Sequence, residues 1–258
     1  MRRHLLLLSS LLLAGCFSKQ YFPYVYAPSA VPATERPQVL VNAPVVREIL
    51  AAPSPASLEA LDAEIGARLE ANGYRVDTSS VSRSRLAGIS AVLPRLGARP
   101  VPESLKDLQG ATGCDLVIVP VVEFRFCEAQ NQNCRWDGVV REIPHSDDTQ
   151  LVMSGGFAAV SLLVNAYTCD GRAVLTSMGG IDVARYATTK LFTGNDSASP
   201  VAGAGFSRLY MNDRTDYLDD PAMRAEAIAL ALHPLVAMAE YPDDPTPYDP
   251  SRLQTRAQ

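Results

Sequence analysis

The chain has 258 residues, with 23 Lys and Arg against 28 Asp and Glu and a formal net charge of −5. A mildly acidic chain with no lysine or arginine cluster lacks the electrostatic footprint of a nucleic-acid binder. Its length allows one full hydrophobic core with extensions, and no segment beyond the amino terminus approaches the apolar length of a spanning helix.

Arg2, Arg3 and His4 make a short positive start, residues 5–13 are apolar apart from Ser9 and Ser10, and Ala14 and Gly15 precede Cys16. That is the layout of a cleaved secretory signal, too short at its apolar core to span a bilayer stably. The string Leu13-Ala14-Gly15-Cys16 resembles the lipobox of bacterial lipoproteins. The resemblance implies that residues 1–15 are removed, that the Cys16 thiol receives a diacylglycerol, and that the new amino group is acylated by a chain such as palmitate. An ordinary signal that merely ends near a cysteine is the competing reading. One acyl chain holds a protein marginally at about 0.8 kcal/mol per buried methylene, whereas several on one residue anchor it firmly. Residue 17 is Phe and not Asp. By the same resemblance the destination is the outer membrane, with the domain on its periplasmic face.

Residues 16–44 are expected to be a lipidated start and a tether, because Pro23, Pro28, Pro32, Pro37 and Pro44 deny them a helix. Phe17, Tyr21, Phe22, Tyr24 and Tyr26 cluster after the lipid site. They suit the lipid headgroup level, a docked partner, or the surface of the chain's own domain. One domain is expected over 45–240, with short β-rich runs already at Val39, Leu40 and Val41. Ser57 can cap a helix carrying Leu58, Leu61, Ile65 and Leu69 on one face, which Asn72-Gly73 ends before a strand at Tyr74-Arg75-Val76. Further helices are predicted within 82–96 and over 103–109. The apolar run 115–126 reads as a strand buried on both faces, with Pro120 implying a bulge or an edge. Residues 127–154 are expected to be an inserted hairpin or loop. Strands at 157–167 and 172–186 are joined by Thr168-Cys169-Asp170-Gly171, a hairpin signal. A surface loop at 187–220, a helix over 221–240 shortened or kinked by Pro234, and a Pro- and Asp-rich tail at 241–258 complete the chain.

Beyond Cys16, the remaining cysteines are Cys114, Cys127, Cys134 and Cys169, an even number that suggests disulfides outside the cytoplasm. The polar, turn-forming segment between Cys127 and Cys134 favours that pair on local grounds, and Cys114 with Cys169 follows by elimination. A redox role for Cys127 and Cys134 is the weaker reading. Zinc held by Cys127, Cys134 and His145 matches no common ligand spacing. His4 leaves with the signal, and His145 and His233 read as structural or exposed. Met153-Ser154-Gly155-Gly156 reads as a turn and not a nucleophile elbow, and Gly203-Ala204-Gly205 has loop composition without a phosphate-binding context. Asp213, Asp216, Asp219 and Asp220 lack the order of a calcium loop and suit a solvated segment that caps the last helix. The sequence therefore leads to no catalytic residue, no cofactor and no metal, and the expectation is that the protein is not an enzyme.

The order of elements predicts an α/β or α+β fold, a mixed sheet with helices packed on it, preceded by a lipid-anchored Pro-rich tether. Three pieces carry a family resemblance: residues 58–76 as a helix-Gly-Tyr-x-Val step, Gly113-Cys114-Asp115-Leu116-Val117-Ile118-Val119 as the strand after a short helix, and residues 160–177 as a hairpin with Asp-Gly in its turn. In this the chain resembles the periplasmic α/β domain of the curli-secretion lipoprotein family. Related domains occur in the amino-terminal half of the Tol-system propeller protein and in a penicillin-binding-protein activator lipoprotein. Gly113-Cys114-Asp115 departs from the alanine-aspartate usual before the central strand. Neither 127–154 nor 187–220 alternates apolar and polar residues over the roughly 9–11 positions of a spanning strand, which disfavours a pore. The resemblance implies a tethered domain that binds or positions another cell-envelope protein, in envelope assembly or as a peptidoglycan-synthesis accessory. The alternative is a ring-forming subunit of an envelope export or secretion apparatus, a homo-oligomer.

Overall fold

The computed structural model describes residues 25–26, 35–47, 52–90, 113–130, 133–143, 150–151, 157–191, 207–233 and 235–236. In chain order, β1 (Val25–Tyr26), β2 (Gln38–Val41) and β3 (Val45–Arg47) lead to helix α1 (Pro55–Ala71) and β4 (Arg75–Asp77). Helix α2 (Ser80–Ser90) and the long strand β5 (Leu116–Phe126) follow. The short strands β6 (Glu128–Gln130), β7 (Asn133–Trp136), β8 (Val139–Glu142) and β9 (Gln150–Leu151) come next. Then β10 (Ala158–Thr168), β11 (Ala173–Leu191), β12 (Ser207–Asp213) and helix α3 (Pro221–Leu232) complete the described elements.

The main sheet is mixed and nine-stranded, with a path β1-β11-β10-β5-β2-β4. Strand β5 lies at its centre, antiparallel to β10 and parallel to β2 and then β3. Successive β5 side chains point to opposite faces. Leu116, Ile118 and Val122 join Leu61, Ile65, Leu69, Ile228 and Ala231 in a core between the sheet and the helices α1 and α3. Val117, Val119 and Val121 join Leu40, Leu163, Tyr167 and Met178 on the other face, where Leu86 of α2 packs. Burial on both faces explains why 115–126 reads as a continuous apolar run.

Pro120 sits neither at a bulge nor at an edge. The pairing with β10 runs in unbroken register from Leu116 to Phe126, with Val164 opposite Pro120. On the other side the N–H of Asn42 donates to the Ile118 carbonyl at 2.9 Å. The next donor owed to that side by a regular parallel ladder is residue 120, a proline with no N–H. The ladder stops there and resumes at Val45 opposite Val121. The break between β2 and β3 thus accommodates a proline inside a central strand.

Helix α1 is capped by Ser54, whose side chain accepts from the Ser57 N–H, with proline at the first position. The expected cap, Ser57, is instead one turn inside the helix, where its hydroxyl donates to Asp219 at 2.5 Å. Gly73 takes φ +88° beyond the carboxyl end, a conformation that favours glycine. Helix α3 is capped by Asp220, whose carboxylate accepts from the N–H groups of Ala222 and Met223. Arg224 is buried on α3, but each of its guanidinium nitrogens is used: on Glu64 of α1 at 2.6 Å, and on the carbonyls of Leu218 and Asp219 at 2.6 and 3.1 Å.

The early β-rich run is a strand: Gln38–Val41 belongs to the sheet, flanked by β5 and β4, so the packed chain begins inside the stretch 16–44 expected to be tether. Part of 127–154 folds as a second, three-stranded sheet, β6-β7-β8, which contains the expected hairpin. One expectation is revised. Part of 187–220 is strand, because β11 continues to Leu191 and pairs with β12 from Arg185↔Asp213 to Leu191↔Ser207. The helix predicted over 103–109 lies outside the described residues.

Candidate functional site

The end of the sheet that carries β1 is built by residues far apart in sequence. Strand β1 lies on the outer edge of β11, with Val25 opposite Thr176 and Tyr26 opposite Leu175. Cys114, just before β5, is bonded to Cys169, just after β10, with their Cα atoms 6.2 Å apart. The Cys169 N–H donates to the Asp115 carbonyl at 3.1 Å, and the Asp115 carboxylate accepts from the Gln38 N–H at 2.8 Å. Strands β2, β5 and β10 are therefore tied together at one end. The β10–β11 turn closes beside them, with Gly171 at φ +95° and the Thr168 hydroxyl donating to Asp170. Cys16, the lipid-attachment residue expected from sequence, and residues 1–15 lie outside the described residues.

The second bridge, Cys127–Cys134, joins the end of β5 to β7 with Cα atoms 5.6 Å apart. Strands β7 and β8 form a hairpin whose two turn residues, Asp137 at φ +35° and Gly138 at φ +88°, are both left-handed, as a tight hairpin requires. The hairpin docks on the main sheet. Trp136 donates its ring N–H to the Val160 carbonyl at 3.3 Å, and the Gly180 N–H donates to the Asp137 carbonyl at 2.9 Å. Arg141 donates to the Ile181 carbonyl at 2.8 Å and pairs with Glu226 of α3 at 2.7 Å. The Asp137 carboxylate is buried and accepts from Arg125 at 2.9 Å and from Ser161 at 2.7 Å. No local pattern links residues 125, 137 and 161.

Several further titratable groups have partners within the fold. Asp213 pairs with Arg185 across β11 and β12, and Asp216 with Arg214 at 3.0 Å. Asp219 takes the Ser57 hydroxyl and Asp220 caps α3, so each of the four closely spaced carboxylates has its own partner. Asp182 is buried on β11, and burial raises its carboxyl above the ordinary range despite Arg214 at 2.7 Å. Burial lowers His233, whose backbone N–H donates to the carbonyls of Ala229 and Leu230 at the end of α3. Burial pushes Tyr167 up to about 12 against the pull of Arg47. His145 lies outside the described residues. Among the described residues no three His, Cys, Asp or Glu side chains gather as a metal site, and no helix is long and apolar enough to cross a membrane.

No protein-family model and no curated protein matches the chain. Among solved structures it is similar to lipoprotein GNA1162 from Neisseria meningitidis, at 16 % identity and a TM-score of 0.33, over 56 % of this chain and 81 % of that one. It is similar to PelC from Paraburkholderia phytofirmans, solved as a dodecamer, at 11 % identity and a TM-score of 0.37, over 84 % of this chain and 98 % of that one. It is also similar to the hypothetical protein CT253 from Chlamydia trachomatis, at 11 % identity and a TM-score of 0.31, over 63 % and 77 % of the two chains. Likeness at these values transfers neither a name nor a role.

Proposed function

We propose that this chain is a lipid-anchored protein of the bacterial cell envelope, held by Cys16 on the periplasmic face of the outer membrane. Its α/β domain binds and positions another envelope protein and catalyses no reaction. The observation that carries the reading is Leu13-Ala14-Gly15-Cys16, set at the end of a short apolar segment with a basic start. The cysteine inventory supports it. Of five cysteines, four are joined as Cys114–Cys169 and Cys127–Cys134, which leaves Cys16 over. Two disulfides suit an oxidising compartment such as the periplasm. Phe17, in place of a retaining aspartate, supports the outer membrane over the inner. On the domain itself, Phe126 at 92 % exposure and Met211 at 49 % lie toward the end of the sheet remote from β1, where a partner can reach them.

The test is photo-crosslinking in cells from position 126 of the full chain, with a Cys16→Ala chain alongside. An identified envelope protein captured by the lipidated chain, and lost from the Cys16→Ala chain, supports the adaptor role. Self-adducts alone, in a ladder that closes at one size, overturn it in favour of a ring-forming subunit.

A further inference from the structure

We propose that the sheet edge formed by β1, together with the neighbouring Cys169–Arg172 turn, is the side of the domain that faces the lipid surface. The proposal rests on the lipid-anchor reading above. It goes further by naming the face that the anchor selects.

The residues between the anchor and the domain do not set its reach; the first point at which the chain joins the sheet does. Were that point Gln38, in the middle of the sheet, the twenty-two residues from Cys16 could extend to roughly 75 Å. A domain on so long a lead could turn any side to the membrane. But Val25 and Tyr26 are already laid antiparallel on the β11 edge, opposite Thr176 and Leu175. Only eight residues, 17–24, then separate Cys16 from Val25, nine Cα steps with a limit of roughly 32 Å when fully stretched. A flexible chain of that length averages about 17 Å.

That lead is comparable with the width of the domain. From β11 to β4 the path crosses β10, β5 and β2, four strand spacings or about 19 Å. The anchor therefore acts at one edge of the sheet, on a lead whose average length is slightly below the sheet's width, which favours that edge lying nearer the membrane than the β4 edge. The same end is made stiff by the Cys114–Cys169 bridge and by the bonds from Cys169 to Asp115 and from Gln38 to Asp115. Orientation at β1 is thus passed to the whole sheet. Among the described residues, β1 is the strand that pairs with this stretch of the β11 edge.

The experiment uses the full acylated chain on vesicles of phosphatidylethanolamine and phosphatidylglycerol that carry an energy-acceptor headgroup lipid. A genetically encoded fluorescent amino acid replaces Arg172, beside β1, or Arg75, on β4; both sites are exposed. Transfer from position 172 is expected to exceed that from position 75 at least twofold. In Val25→Pro with Tyr26→Pro, which removes the β1 donors, the ratio is expected to fall below about 1.3 while the urea midpoint stays within error. Mass analysis of the amino-terminal peptide and vesicle flotation report lipidation independently. A lipidated, vesicle-bound chain with equal transfer from both sites, or a ratio that survives the double proline change, overturns the proposal alone. A chain without lipid on Cys16 overturns the anchor reading and the proposal with it.

Discussion

Ser161, fully buried on β10, donates its hydroxyl to the Asp137 carboxylate at 2.7 Å, joining that strand to the turn of the β7–β8 hairpin. Arg125 at the end of β5 donates to the same oxygen at 2.9 Å. One buried carboxylate thus fastens the small sheet to two strands of the large one. Such a group is costly to leave half-satisfied.

Asp137→Ala removes the acceptor for both donors and places alanine at φ +35°, a region aspartate tolerates better. It is expected to lower stability by about 2–4 kcal/mol, with Ser161→Ala costing about 1–2 kcal/mol. Urea unfolding of the two single variants checks both. An Asp137→Ala loss no larger than that of Ser161→Ala would show that the fastening lies elsewhere.

Gly179 and Gly180 admit two different neighbours to β11. A Cβ on Gly179 would overlap the Ala227 carbonyl of α3, and one on Gly180 would overlap the Val139 side chain and the Trp136 ring nitrogen. Gly180→Ala is therefore expected to cost about 1–3 kcal/mol and to loosen the hairpin. Trp136 is the one tryptophan and is buried, so its emission should move to longer wavelength in Gly180→Ala. Gly179→Ala should cost more, because its Cβ meets the Ala227 backbone of α3, and should leave that emission unchanged.

The two bridges close loops of very different length, with sequence separations of 55 and 7. By the loop-entropy relation, Cys114–Cys169 contributes about 4 kcal/mol and Cys127–Cys134 about 2.4 kcal/mol. Paired Cys→Ala variants in urea should reproduce that order. The loss of Cys127–Cys134 should also shift Trp136 emission, since both cysteines share its cluster.

Asp182 provides a test in pH. Burial raises its carboxyl in the folded chain above the ordinary 3.8, so the folded state holds that proton more tightly than the unfolded state. Its contribution is greatest below 3.8 and falls as pH rises through the window up to the raised value. Asp182→Asn removes this negative slope. The unfolding free energy of the variant minus that of the parent chain should therefore climb from pH 3.8 upward and then level off. A flat difference across that window would show that Arg214 fully offsets the burial.

Local pattern made much of the fold legible. The helical spacing of Leu61, Ile65 and Leu69, the Gly73 exit, and the Asp170-Gly171 turn are short-range signals, and all three are present. The cap of α1 was misplaced by three residues because Ser54 and Ser57 offer the same chemistry, and only the proline at 55 favours the former. Pro120 misled because its missing N–H is harmless only where the neighbouring ladder happens to break. The extension of β11 and the presence of β12 were hidden in a polar stretch, whose strand pairing is not written in apolar alternation.

From its residues alone the chain declared a basic-led apolar start ending in Leu13-Ala14-Gly15-Cys16, an even set of four further cysteines, and a mixed sheet covered by helices. These are properties of composition and of neighbours along the chain. Tertiary structure decided where residues distant in sequence meet. It placed Val25 and Tyr26 on the β11 edge, and Asp137 between Arg125 and Ser161. Such meetings depend on strand order and register, which backbone pairing and burial settle together over the whole sheet, so no local stretch of sequence encodes them.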